Sequence, residues 1–105
     1  MITTQLAPRP MTLDEFLPLV GMTLKVDCAP NVVPLTLVEA SPSRHPGLDD
    51  RPPFALIFRS APNAFLVAGT YAMQCSGFGP ALIDIAPIAA IPGATPGHYY
   101  QAVFN

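Results

Sequence analysis

Charge is what this chain has least of. Only 11% of its 105 residues are Asp, Glu, Lys or Arg, less than half of the roughly 25% found in ordinary soluble domains. The basic residues Arg9, Lys25, Arg44, Arg51 and Arg59 are scattered, and the formal net charge is −2. That distribution leaves no electrostatic footprint for nucleic acid or for an anionic membrane surface, so neither is expected as a partner. Long apolar runs are also missing, since none approaches the ~18 residues that cross a bilayer. Met1-Ile2-Thr3-Thr4-Gln5-Leu6-Ala7-Pro8 has neither the basic nor the apolar region of a signal peptide, and a cytoplasmic protein is the expectation.

Metal-binding and nucleophilic residues are scarce as well. Cys28 and Cys75 are the only cysteines. Outside any Cys-x-x-Cys motif, they read as two free thiols, buried or partly buried, rather than as a disulfide framework. His45 and His98 lie far apart without partners at ligand spacing, and a zinc site needs three or four ligands held together. His98, at a strand start, is expected to be a half-exposed structural residue. Asp49-Asp50 are adjacent in a loop and are both expected to face water. Ser41, Ser43, Ser60 and Ser76 lack a nucleophile elbow, and Gly77-Phe78-Gly79 lacks the lysine and helix of a phosphate loop. The expectation is a protein that is not an enzyme and takes no cofactor or metal.

What the chain does have is alternation and breakers. In Met22-Thr23-Leu24-Lys25-Val26-Asp27, Met22, Leu24 and Val26 fall on one side of an extended strand and the polar residues on the other. Fourteen prolines exclude long helices and punctuate such runs. Strands are expected at Met22–Asp27, Pro34–Ala40, Phe54–Ser60, Gly69–Cys75, Ala81–Pro87 and His98–Phe104. Ser76-Gly77-Phe78-Gly79 suits a hairpin. Before them, Thr12 and Glu15 form a capping box, Met11 and Phe16 a hydrophobic staple, and Pro18 and Gly21 keep the helix short.

Residues 1–10 read as a flexible lead-in, and 11–105 as a single, mainly β domain. Six antiparallel strands with one short N-terminal helix suggest a small barrel, closed or half-open, because closure removes sticky edges. A two-sheet sandwich is the alternative. In the last strand Tyr100, Ala102 and Phe104 are expected to enter the core.

Four segments resemble a known family in order and spacing. They are Met11-Thr12-Leu13-Asp14-Glu15-Phe16 with Pro18-Leu19-Val20-Gly21, then Arg51-Pro52-Pro53-Phe54-Ala55-Leu56-Ile57-Phe58-Arg59, then Gly69-Thr70-Tyr71, and last Tyr99-Tyr100-Gln101-Ala102-Val103-Phe104-Asn105. The family comprises short bacterial proteins classified only as a domain of unknown function, and the resemblance spans about residues 11 to 105. It implies no activity, cofactor or catalytic residue. It does carry an association with neighbouring genes for tail-collar-like or fibre-like proteins. After Gly69-Thr70-Tyr71 the family tends towards charged residues, whereas Ala72-Met73-Gln74-Cys75 follows here and makes the surface more apolar.

The functional expectation is therefore a non-catalytic interaction or structural module. It would bury an apolar sheet face against itself, as a homodimer or larger, or against another protein such as a fibre- or tail-like one. When Leu56 and Phe58 point inward, Ile57 points out, and Val38, Val103 and Tyr99 are expected to do likewise. The long Ser41–Pro53 connection, with Arg44, His45 and Arg51, is the other candidate contact region. A small-molecule-binding barrel is the alternative, weakened because so short a barrel fills its interior with side chains. A small enzyme using His45 with Asp49 or Asp50 has only co-occurrence behind it.

Overall fold

The computed structural model describes residues 11–43, 53–90 and 92–104. The lead-in 1–10 and residues Arg44, His45 and Arg51 lie outside the described residues. The first element, α1 (Leu13–Phe16), is a single turn. The expected box starts it: the Thr12 amide donates to Glu15 Oε2 at 2.8 Å, and the Glu15 amide donates to the Thr12 carbonyl at 3.1 Å. Met11 and Phe16, the staple pair, are both buried. Pro18 has no amide to continue the helix, so the chain tightens into a 3-10 turn at Leu17–Leu19 and leaves it at Gly21.

Six strands follow: β1 (Thr23–Cys28), β2 (Asn31–Pro42), β3 (Phe54–Ser60), β4 (Gly69–Cys75), β5 (Phe78–Ile88) and β6 (His98–Phe104). They close into an antiparallel barrel in the order β1-β2-β3-β6-β5-β4, so the sandwich and the half-open barrel are both excluded. Closure depends on the two long strands, each of which serves two neighbours. The first half of β2 pairs with β1, and from Thr36 onward it pairs with β3. Likewise β5 pairs with β4 as far as Ile85, then with β6 through Ala86, Pro87 and Ile88. The seam between β1 and β4 is narrow, with Lys25 opposite Gln74 and Val26 opposite Met73.

Side-chain alternation fills the ring. Leu24, Val26, Leu35, Leu37, Leu56, Phe58, Met73 and Tyr100 are fully buried, and β3 alternates inward and outward along its whole length. β2 breaks step once. Leu37 pairs with Phe58 and Glu39 with Ile57, which leaves Val38 as the extra residue of a β-bulge. Beyond it the parity flips: Ala40 packs against the core and Glu39 is exposed.

The β4–β5 hairpin is tighter than expected. Cys75 pairs directly with Phe78, and Gly77, at φ 83, supplies the left-handed residue of the turn. Cys28 sits beside the β1–β2 turn and Cys75 beside this one. Since β1 and β4 are antiparallel, the two cysteines occupy opposite ends of the barrel, and both are free thiols.

Where β5 turns away from β6, Phe16 fills the space between them. Its ring lies 5.2 Å from Phe78 at the start of β5 and 5.7 Å from Phe104 at the end of β6. Phe54 completes the cluster, 5.8 Å from Phe16 and stacked on Phe104 at 4.5 Å. Phe104 packs against the core as expected, though it is half-buried rather than fully buried. Phe16 is fully buried. Phe16→Ala should therefore cost about 3–5 kcal/mol, and Phe104→Ala clearly less, as measured by chemical denaturation. Equal losses would show that the helix does not seal the barrel.

Candidate functional site

Strand register places the outward residues on a grid. On the face formed by the second half of β2, β3, β6 and the end of β5, one row runs Glu39, Ile57, Gln101, Ala86. The row beyond the bulge runs Thr36, Arg59, Tyr99, Ile88. Ser41, Ala55 and Val103 make the third. Val103 is 55% exposed, Val38 39% and Ile88 38%, while Ala55 and Ile57 are half-buried. Val38, Ile57 and Val103 thus share one face, as expected. Among the described residues, Glu39 and Arg59 are the charged members of this face.

Tyr99 corrects the sequence expectation. It faces away from the barrel interior and lies outside the core cluster, yet it is only 8% exposed. The connection between β5 and β6 folds back over this end of the face. Tyr99 Oη donates to the Thr95 carbonyl at 2.7 Å. A Cβ on Gly97, at φ +148, would stand 2.2 Å from the Ser60 carbonyl oxygen and 3.0 Å from Arg59 Cγ, so only glycine fits. Tyr99 is therefore a covered support of the face rather than a free contact. Alternation reports which side a residue faces, but not whether a loop lies on top of it.

Ala55, Ala86, Ile88, Glu39 and Arg59 belong to this face but were not among the expected contacts. Alternation within each strand could have placed them outward. Their adjacency depends on which strands pair, and nothing local in the chain encodes that.

The opposite half of the barrel is more polar. Lys25, Asp27, Gln74, Thr70 and Asp84 point outward there, with Thr70 Oγ1 donating to Asp84 Oδ1 at 3.4 Å. A depression of about 310 Å³ over the β1–β4 seam is lined by Lys25, Asp27, Val32, Ala72, Gln74 and Pro80. Nearby, the Asp27 carboxylate accepts the Ala29 amide at 3.1 Å, tying the β1–β2 turn. Burial first, and the Asp27 charge second, push the Cys28 thiol above its ordinary value. Burial also raises Tyr71, helped by the charges of Cys28 and Tyr100.

A buried polar knot holds the loop after β3. Ser60 Oγ lies 2.7 Å from the Ala64 carbonyl and 3.0 Å from Tyr100 Oη. The Leu66 amide donates to that same phenol oxygen at 3.0 Å. Leu66 is buried while its neighbours Phe65 and Val67 are exposed. His98 is half-buried, edge-on to Phe65 at 5.1 Å, with Nε2 3.2 Å from the Pro62 carbonyl oxygen. At the other hinge of the barrel, the Ser43 amide donates to the Pro53 carbonyl at 3.0 Å and closes the base of the connection between β2 and β3.

Among the described residues, no group of His, Cys, Asp and Glu could hold a metal ion. No helix among them is long and apolar enough to cross a membrane. A six-stranded barrel of this order, with an apolar outer face and a polar one, is the class that the geometry defines. The chain belongs to the family described as a domain of unknown function (DUF6916), which matches residues 11–104. No curated protein and no solved structure matches the chain.

Two outcomes test this description. Tyr100→Phe should cost about 1–3 kcal/mol, since the buried Leu66 amide loses its acceptor, and Leu66 should show faster amide exchange. At Cys28 the folded state holds its proton to higher pH than the unfolded chain does. Stability should therefore fall as pH rises from the ordinary thiol range through the raised value. Cys28→Ser should flatten that slope in pH-dependent unfolding, and Asp27→Asn should bring alkylation of Cys28 to lower pH.

Proposed function

We propose that this protein is a non-catalytic interaction module that buries the outer face of β3, β6 and the end of β5 against itself or against another protein. One observation carries the reading. The two halves of the barrel differ: Lys25, Asp27 and Asp84 solvate one, where Val32 is the exposed apolar residue, while the other gathers Val38, Ala55, Ile57, Ala86, Ile88 and Val103 around the uncharged Gln101 and Ser41. Isolated apolar residues on a surface need no explanation, whereas a contiguous sheet face of them favours an interface. The face is also rigid, because β3 and β6 pair along their whole length from Phe54–Phe104 to Ser60–His98. A preorganised surface loses little entropy on docking. The resemblance to a family with fibre- and tail-like gene neighbours argues for such proteins as the partner class, in a cytoplasmic setting and without a cofactor.

A small-molecule barrel is the weaker reading. The interior is taken up by Leu, Phe, Met and Tyr side chains, and the depressions found at Lys25, at Leu19 and at Arg59 open on the outside.

Ile57→Asp or Val103→Asp should abolish assembly seen by sedimentation. The Val103 change should leave the thermal melt nearly unmoved, because an exposed substitution costs within about 0.5 kcal/mol. A parent protein that stays monomeric at high concentration and takes no partner would sink the proposal.

A further inference from the structure

Arg59 and Glu39 stand out on this face because neither has a counter-ion among the described residues. The Arg59 side chain is half-buried, its stem close under Gly97. It borders an open depression of about 390 Å³ walled by Thr23, Pro34, Thr36, Thr95 and Pro96. No carboxylate meets its guanidinium among the described residues. Glu39 is exposed, with one carboxylate oxygen accepting from Ser41 Oγ at 3.1 Å and no cation beside it among the described residues. A guanidinium beside an open depression, with no anion among the described residues, leaves its fork of donors free for a ligand. Its natural occupant is a carboxylate, taken through the planar fork of donors.

The geometry points to a second copy of this chain as the source of that carboxylate, with Glu39 of each copy entering the Arg59 depression of the other. This rests on the reading of the sheet face as an interface. An isologous dimer needs a self-complementary surface, and one acid and one base on an otherwise uncharged face provide it. The register supports the fit. Strands lie about 4.8 Å apart and same-face residues about 6.8 Å apart along a strand. Glu39 is one strand over and one step along from Arg59. A two-fold axis lying in the face, midway between them, exchanges the pair between copies. The same rotation lays Val103 over Ala86 of the second copy and Ala55 beside its Ile88, while Gln101 falls near its own counterpart. The strands of the two copies then cross steeply, in the orthogonal class of sheet packing. Val38 and Ile57, which lie between the two charges, end at the centre, away from water.

Sedimentation equilibrium of the full chain tests this by charge exchange. The parent should be a dimer. Glu39→Arg, at an exposed position that the fold does not need, should weaken it about tenfold or more. Arg59→Glu should do the same, and the double exchange E39R/R59E should restore it. Arg59→Gln and Glu39→Gln serve where a reversal unfolds the chain, as checked by circular dichroism, and each should weaken the dimer too. A dimer indifferent to all single changes would overturn the charge exchange and leave the sheet-face interface standing. A monomeric parent, or a double exchange that restores nothing, would overturn the inference as well.

Discussion

The ring of Phe16 is the contact on which this barrel depends. Six strands closed by two long ones leave a problem of geometry: a strand that changes partner must leave the first partner before its end. β5 joins β6 only from Ala86 onward, so the last residues of β6 have no β5 neighbour on that side. Without a plug, Phe54, Phe78 and Phe104 would surround a wet opening into the core. A single helical turn solves it, because Phe16 reaches all three rings within 6 Å. Aromatic rings at such tilted and stacked separations add to the burial of their area. So short a helix would not persist alone. The capping box and staple orient it, and tertiary burial of Met11, Phe16 and Leu19 holds it there.

The same partner change explains which parts of the fold were legible in the chain. β3, β4 and β6 run from Phe54 to Ser60, Gly69 to Cys75 and His98 to Phe104, just where alternation between breakers put them. Each stays within one pair of neighbours and keeps one parity. The two long strands were read short. Pro34 and Pro42 in β2, and Pro80 and Pro87 in β5, look like terminators. In fact they sit within the strands, where one backbone side lacks a ladder partner and a missing amide is tolerated. The helix was legible because its caps are local hydrogen bonds. The apolar face was legible one strand at a time, through Val38, Ile57 and Val103. Its extent was not, because Ala86 and Ile88 join it through pairing with β6. Tyr99 was misjudged because a loop covers it.

Surface chemistry divides along the same line as the topology. The half built on β1 and β4 has the short seam and most of the described strand charges; the half built on β3 and β6 has the long ladder and few. A long ladder gives a stiff, regular surface suited to docking, while the narrow seam, with two opposed pairs, is the weaker part of the ring. Solvating charge on that half keeps its outer surface in water. With only 11% charged residues in the chain, each ionic group has a large share in deciding which surface stays wet.

The bulge at Val38 connects the packing to that surface. Leu35 and Leu37 point inward, so an unbroken strand would turn Glu39 inward after them, next to Leu56 and Phe58. An unpaired carboxylate in that core would cost several kcal/mol or force its protonation. One extra residue turns Glu39 out, and turns Ala40, small enough for the narrowing end, towards the core. The irregularity that rescues the core is therefore also what presents a carboxylate on that outer face. A bulge re-aims side chains at a sheet surface; here it sets the acid one strand and one step from Arg59. Moving the bulge by one residue in either direction would undo both arrangements together, which ties the stability of this sheet to the chemistry that its surface offers.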